Sequence, residues 1–176
     1  MYHRSPIPVT IGLALASYSL VAVLIASAQP TGSPEFSKLL ADAKAEAYEL
    51  KKDSEDLDAF TRSNLSWESH SAKVEQIKGH LNNAGKLLAR MKQAEATSVP
   101  WQKDAIVKIE SLLQELAQNL QGTINHLNEN QARVHAPAFK EYVKANYEMA
   151  TDLETLIRDF VAYDQAKEKF EHVASK

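Results

Sequence analysis

The apolar seam of this chain slips its helical phase between Thr61 and Trp67. Before that stretch, Phe36, Leu40, Ala43, Ala47, Leu50, Ser54 and Leu57 step by three and four, the spacing of one face of a helix. After it, Trp67, Val74, Leu81 and Leu88 form a new seam, with Ile77, Ala84 and Met91 between them. Carried backwards, the second seam passes through Phe60, while the first expects its next residue at Thr61. A continuous helix can absorb such a slip as a three-residue stammer. It would then run from 36 to 95, about 90 Å long, and would need a partner along its outer half. The chain can instead turn back. Ser63, Asn64 and Ser66 all suit a helix start, with Glu68 in the first turn. The turn is the preferred reading, and a three-helix arrangement with one very long N-terminal helix is its alternative.

Two further breaks divide the remainder. Thr97 or Ser98 is expected to cap a helix that carries Pro100 in its first turn. Ile106, Ile109, Leu113, Leu116, Leu120, Leu127 and Val134 form its seam. Pro137 opens the last helix, whose seam holds Phe139, Tyr142, Val143, Ala150, Leu153, Leu156, Ile157, Phe160, Tyr163 and Phe170. No run alternates Val, Ile or Thr as a strand would. The expected fold is therefore all-α, an antiparallel up-down-up-down four-helix bundle with helices over about 36–62, 66–95, 98–134 and 137–172. Gly79 and Gly85 lie inside the second helix, each costing about 1 kcal/mol relative to Ala. Close approach of a neighbouring helix is the expected reason at Gly85. Gly79 falls off the seam.

The N-terminus reads as an export signal. Arg4 is followed by an uncharged run from Val9 to Ile25, then Ala26-Ser27-Ala28 and Gln29. That is a positive n-region, an apolar h-region and a small-residue cleavage site between Ala28 and Gln29. Residues 1–28 are expected to be removed, 29–35 to form a linker and 36–176 the bundle. The location implied is periplasmic or extracellular. If the segment stays, residues 9–25 are at the lower edge of spanning length and would anchor the chain in a membrane.

The chain has no Cys, which excludes lipid attachment behind the run, thiol catalysis and Cys-based metal sites. Removal of residues 1–28 takes only Arg4 from the charges, leaving 19 Lys+Arg against 23 Asp+Glu, a net of −4. With no basic block, that balance argues against nucleic acid and anionic membrane surfaces.

In an up-down-up-down bundle the Thr61–Trp67 turn shares one end with the third-to-fourth helix connection. The seams are polar there. His70 precedes Ile77 by seven residues, Thr123 and Asn130 continue the Ile109–Leu116 series, and Asn146 lies midway between Phe139 and Leu153. The candidate ligand-binding residues are therefore Trp67, His70, His126, Asn130, Tyr142 and Asn146, facing inward as bundle sites do. The competing reading is a hydrogen-bonded layer that fixes helix register. The run Asn125–Gln131 reads as a capping or fraying helix end, or as a polar binding face.

Chemistry beyond that is sparse. No Glu has a His three residues on, so the paired Glu-x-x-His of di-metal bundles is absent, and His126 and Glu129 flank the seam in reverse order. Met149 and His172 are too far apart on one helix to share a haem iron. No Ser sits on a strand-to-helix elbow. Glu55-Asp56 and Glu168 with Glu171 read as solvated surface. No catalytic residue, metal or cofactor is expected. The sequence points to an exported non-enzymatic helical bundle, a binding or structural module of the cell envelope, working through an unidentified protein partner or self-association. A small-ligand-binding bundle with a polar pocket at the turn end is the second reading. A membrane-anchored coiled-coil adaptor is the third.

Overall fold

The computed structural model describes residues 33–176. The expected signal segment, the Ala28–Gln29 cleavage position and most of the linker lie outside the described residues. Four α-helices follow in order: α1 (Pro34–Phe60), α2 (Trp67–Gln93), α3 (Pro100–Glu129) and α4 (Pro137–Ala174). The fold is the expected all-helical bundle. α1 packs against α2 and α4, α3 packs against α4, and the α2–α3 seam is the thinnest of the four.

The chain does turn at 61–66, so the single long N-terminal helix is ruled out. The turn is built from hydroxyls instead of glycine. Thr61 N–H reaches the carbonyls of Leu57 and Asp58, and Thr61 Oγ1–H donates to Asp58 O at 2.7 Å. Arg62 N–H takes Ala59 O, and Ser63 Oγ–H donates to Phe60 O at 2.8 Å. The carbonyls that α1 leaves open at its end are thus occupied. Ser66 is the N-cap of α2 in extended backbone, without a side-chain capping bond. Its hydroxyl instead holds the Glu68 carboxyl below the usual carboxylate range, joined by Glu68's own backbone N–H.

Other boundaries move for local reasons. Ser33 caps α1 by accepting from Phe36 N–H, so Pro34 and Glu35 belong to the helix and not to a linker. Thr97 and Ser98 do not cap α3, because both hydroxyls donate backwards to Ala94 O. Val99 is the N-cap, and Gln102 reaches back to accept from its N–H at 3.2 Å. α3 stops at Glu129, five residues before the expected Val134. Asn130 leaves helical backbone, and its Nδ2 and backbone N–H both donate to His126 O. A 3-10 turn over Gln131–Arg133 then carries Val134 into the core by another route.

The core holds the predicted seams of α1, α2 and α3, with Leu50, Ile77, Ile109 and Leu116 almost wholly buried. On α4 the prediction runs too far. Phe139, Val143, Leu153 and Ile157 are buried, but Tyr163 and Phe170 stand in solvent. α4 has 38 residues against 27 in α1, and beyond Asp164 its core-side positions are Glu168 and Glu171. No neighbour can bury those without a charge partner, so the apolar interior ends there.

Neither glycine of α2 serves a close approach. A Cβ at Gly79 or Gly85 would meet nothing within 4 Å. The glycine that does is Gly122 in α3, where a Cβ would lie 2.8 Å from the Tyr142 ring. Gly85→Ala should therefore raise stability by about 1 kcal/mol and Tm by about 2–4 °C. Thermal denaturation followed by circular dichroism checks this, and a lower Tm would show a neighbour at Gly85.

Candidate functional site

The turn end of the bundle gathers most of the residues expected there. His70, the fourth residue of α2, is fully buried. Its Nδ1 lies 2.9 Å from Ser66 O. A carbonyl only accepts, so Nδ1 carries a proton in that bond, and the opposite nitrogen, Nε2, is buried without a partner. Three rings meet the imidazole edge to face: Phe60 at 5.9 Å, His135 at 5.8 Å and Phe139 at 5.6 Å. Phe139 is the hub, because His126 stacks on it at 5.7 Å and leans on Tyr142 at 6.1 Å. His126 Nε2 is also buried and unpartnered.

One layer deeper, Asn146 is fully buried and donates from Nδ2 to Thr123 Oγ1 at 2.7 Å. Thr123 passes its own hydroxyl proton to Asn119 O at 3.0 Å. Asn119 Nδ2 in turn donates to Tyr142 O at 2.9 Å, which ties α3 to α4. The Tyr142 ring lies over Gly122 and stays partly in solvent. Asn146 Oδ1 has no partner.

The six sequence candidates therefore separate. His70, His126 and Tyr142 are linked through Phe139, and Asn146 stands behind them with Thr123. Asn130 is half-buried and spends its amide on capping α3, so the asparagine-rich run ends a helix there. Trp67 is half-buried against the core at the first position of α2. His135 joins the cluster although its sequence position, in the connection between the Gln131–Arg133 turn and α4, carried no seam signal. The layer is filled by rings and amides of the chain itself. It can accept hydrogen bonds from inside but presents no nucleophile–base pair to solvent.

Two other groupings went unseen in the sequence. On the α1–α2 face, Lys73 Nζ lies 2.9 Å from Asp53 and 3.1 Å from Asp56. His80 bridges Glu46 at 2.8 Å and Asp53 at 3.5 Å. Asp53 is buried, and Asp56, expected as solvated surface, is a half-exposed partner of Lys73. The partners lie 34 and 20 residues apart, both pairs centred on residue 63. A turn placed at 61–66 brings those residues opposite each other in an antiparallel pair, so the signal was present once the turn was fixed. Burial alone pushes the Lys73 ammonium down, but its hydrogen bonds to Asp53 and Asp56 and their charges together outweigh this and hold it above the usual lysine range. At the opposite end, Trp101 sits among Phe36 at 5.6 Å, Tyr163 at 5.4 Å and Phe160 at 6.4 Å, with a buried, unpartnered Nε1. Among the described residues, no three His, Asp or Glu side chains converge as a metal site.

Comparison with known proteins returns no matching family model, no similar characterised protein and no similar solved structure.

A folded-state value raised above the unfolded one stabilises below the unfolded value and is lost as pH rises through the folded one. Lys73→Met should therefore cost about 1–2 kcal/mol at neutral pH, between an exposed pair and a buried charged hydrogen bond. The stability gap between wild type and variant should close above the usual lysine range. Denaturant melts at neutral and strongly alkaline pH measure both. A gap that does not change with pH would assign the cost to lost packing of the Lys73 stem.

Proposed function

We propose that this chain is an exported, non-enzymatic helical module of the cell envelope that works through its outer surface. One contrast carries the reading. His70 and Asn146, on which an internal pocket would depend, are wholly buried among the chain's own side chains. Large apolar groups meanwhile stand outside: Tyr48, Tyr163, Phe170 and Val173 are all more than half exposed. Side chains that face solvent without a partner are what a binding or structural module offers to another surface. Export rests on the Arg4, Val9–Ile25 and Ala26-Ser27-Ala28 pattern. Among the described residues no helix is long and apolar enough to cross a membrane, so an anchored adaptor would depend on residues 9–25 alone.

A second reading, a small-ligand site at the turn end, draws on one specific observation. His70 Nε2, His126 Nε2 and Asn146 Oδ1 are buried polar atoms with no protein partner. Such atoms are costly, at about 1–3 kcal/mol each, unless something satisfies them. A ligand that donated hydrogen bonds to them would remove that cost.

Native mass spectrometry of the exported protein separates these readings. The surface reading expects the mass of residues 29–176 with no bound small molecule. A mass that includes residues 1–28 in the membrane fraction selects the anchored adaptor. A bound small molecule that Asn146→Leu removes, with folding intact by circular dichroism, replaces the surface reading with ligand binding.

A further inference from the structure

The end of the bundle away from the 61–66 turn carries a face that its own helices leave uncovered. Val161 and Asp164 are the last buried residues of α4. Past them the apolar residues change face. Tyr163, Ala166, Phe170 and Val173 recur at i, i+3, i+7 and i+10, one stripe on a helix. Tyr163 is 51%, Phe170 74% and Val173 72% exposed. Helical spacing places Lys167 on one flank of the stripe and Lys169 on the other, with Lys176 just past the end of the helix. Asp164, Glu168 and Glu171 fall on the opposite face, where Glu171 draws Lys167 to 2.6 Å. The chain's net negative charge averages over this segregation and hides it.

The occupant of such a face follows from its flanks and its position. A second copy would set lysines against lysines on both sides of the stripe. Four side chains also fall short of the roughly 800 Å² per partner that a stable protein interface buries. The chain before Ser33 leaves from this same end, because Phe36 lies against Trp101, and Trp101 against Tyr163. That chain holds the uncharged run Val9–Ile25, followed by only seven residues before Ser33. Seven residues span at most about 25 Å. A bilayer that receives Val9–Ile25, as a passing signal or as an anchor, therefore receives this end of the bundle.

We propose that the Tyr163–Lys176 tip of α4 rests in the headgroup region of a bilayer that contains anionic lipid. Phe170 and Val173 enter the acyl boundary, and Lys169 and Lys176 extend to lipid phosphates, joined by Lys167 where a phosphate displaces Glu171. This rests on the surface-acting function proposed above and names the surface it meets. The contact forms while the apolar N-terminal run is in or passing through the bilayer, and after removal of residues 1–28 it is weak and rests on this tip alone.

The absence of Cys allows single-site labelling. Nitroxides are placed on the full chain at Val173→Cys and, as a control at the turn end, at Asn64→Cys, with vesicles of phosphatidylglycerol and phosphatidylcholine in equal parts. Oxygen accessibility relative to a water-soluble nickel chelate should rise several-fold at 173 and stay unchanged at 64. Lys167→Gln, Lys169→Gln and Lys176→Gln combined should reverse most of the rise. A label at 173 that stays aqueous while the chain is vesicle-bound overturns the proposal and leaves the surface-acting function standing. A lipid-independent dimer that Phe170→Ser dissolves also overturns it and assigns the stripe to a second copy. A ligand lost on Asn146→Leu, as described above, would instead remove the function on which it rests.

Discussion

The hydroxyl-built reversal at Thr61–Ser66 is the constraint on which the other contacts depend. An α-helix leaves its last carbonyls without partners, and many helices close that gap with a glycine in left-handed backbone. Here Thr61 and Ser63 close it from their side chains, and no residue among those described needs positive φ. The reversal fixes which residues of α1 and α2 face one another. Lys73 meets Asp53 and His80 meets Glu46 because each pair is centred on residue 63. It also sets His70 beside Phe139 at the start of α4, where the polar layer forms.

That layer explains more about specificity than about stability. Buried amides and imidazoles are worse than hydrocarbon unless paired, and three of their atoms here are unpaired. What the layer supplies is register. Asn146 can reach Thr123 only when α3 and α4 are aligned at that level, and the Tyr142 ring fits over α3 only because residue 122 is glycine. A slip of one turn would bury Asn146 against leucines. Polar core residues are known to select one alignment over others in this way. The same filling leaves the large apolar side chains without partners on the outer surface, above all at the α4 tip.

The helices and their inner faces were legible in the sequence because a 3.6-residue apolar period is written directly in residue types. Leu50, Ile77, Ile109 and Leu153 needed no tertiary information. What failed was governed by partners. Val134 matched the α3 seam, yet Asn130 ended the helix by bonding to His126, a local competition that periodicity does not register. Gly85 suggested a close approach, but the chain approaches closely at Gly122, where the cause is a tyrosine on another helix. Phe170 continued the α4 seam by count, while Glu168 and Glu171 had already taken the inward positions. Among the site candidates, His70, His126, Tyr142 and Asn146 do meet directly or through Phe139 and Thr123, and Asn130 caps a helix. His135 and Trp101 carried no periodic signal, so only the packed structure places them.

The polar layer exists because the chain reverses at 61–66. Spin labels at Lys44→Cys and Asn82→Cys, both exposed and 38 residues apart, test this directly by pulsed dipolar spectroscopy. Neighbouring antiparallel helices lie about 8–10 Å apart, so the reversal gives a short interspin distance, that spacing plus the label arms. A distance near 57 Å, as about 1.5 Å per residue gives for one continuous helix, would contradict it and disperse His70 from Asn146.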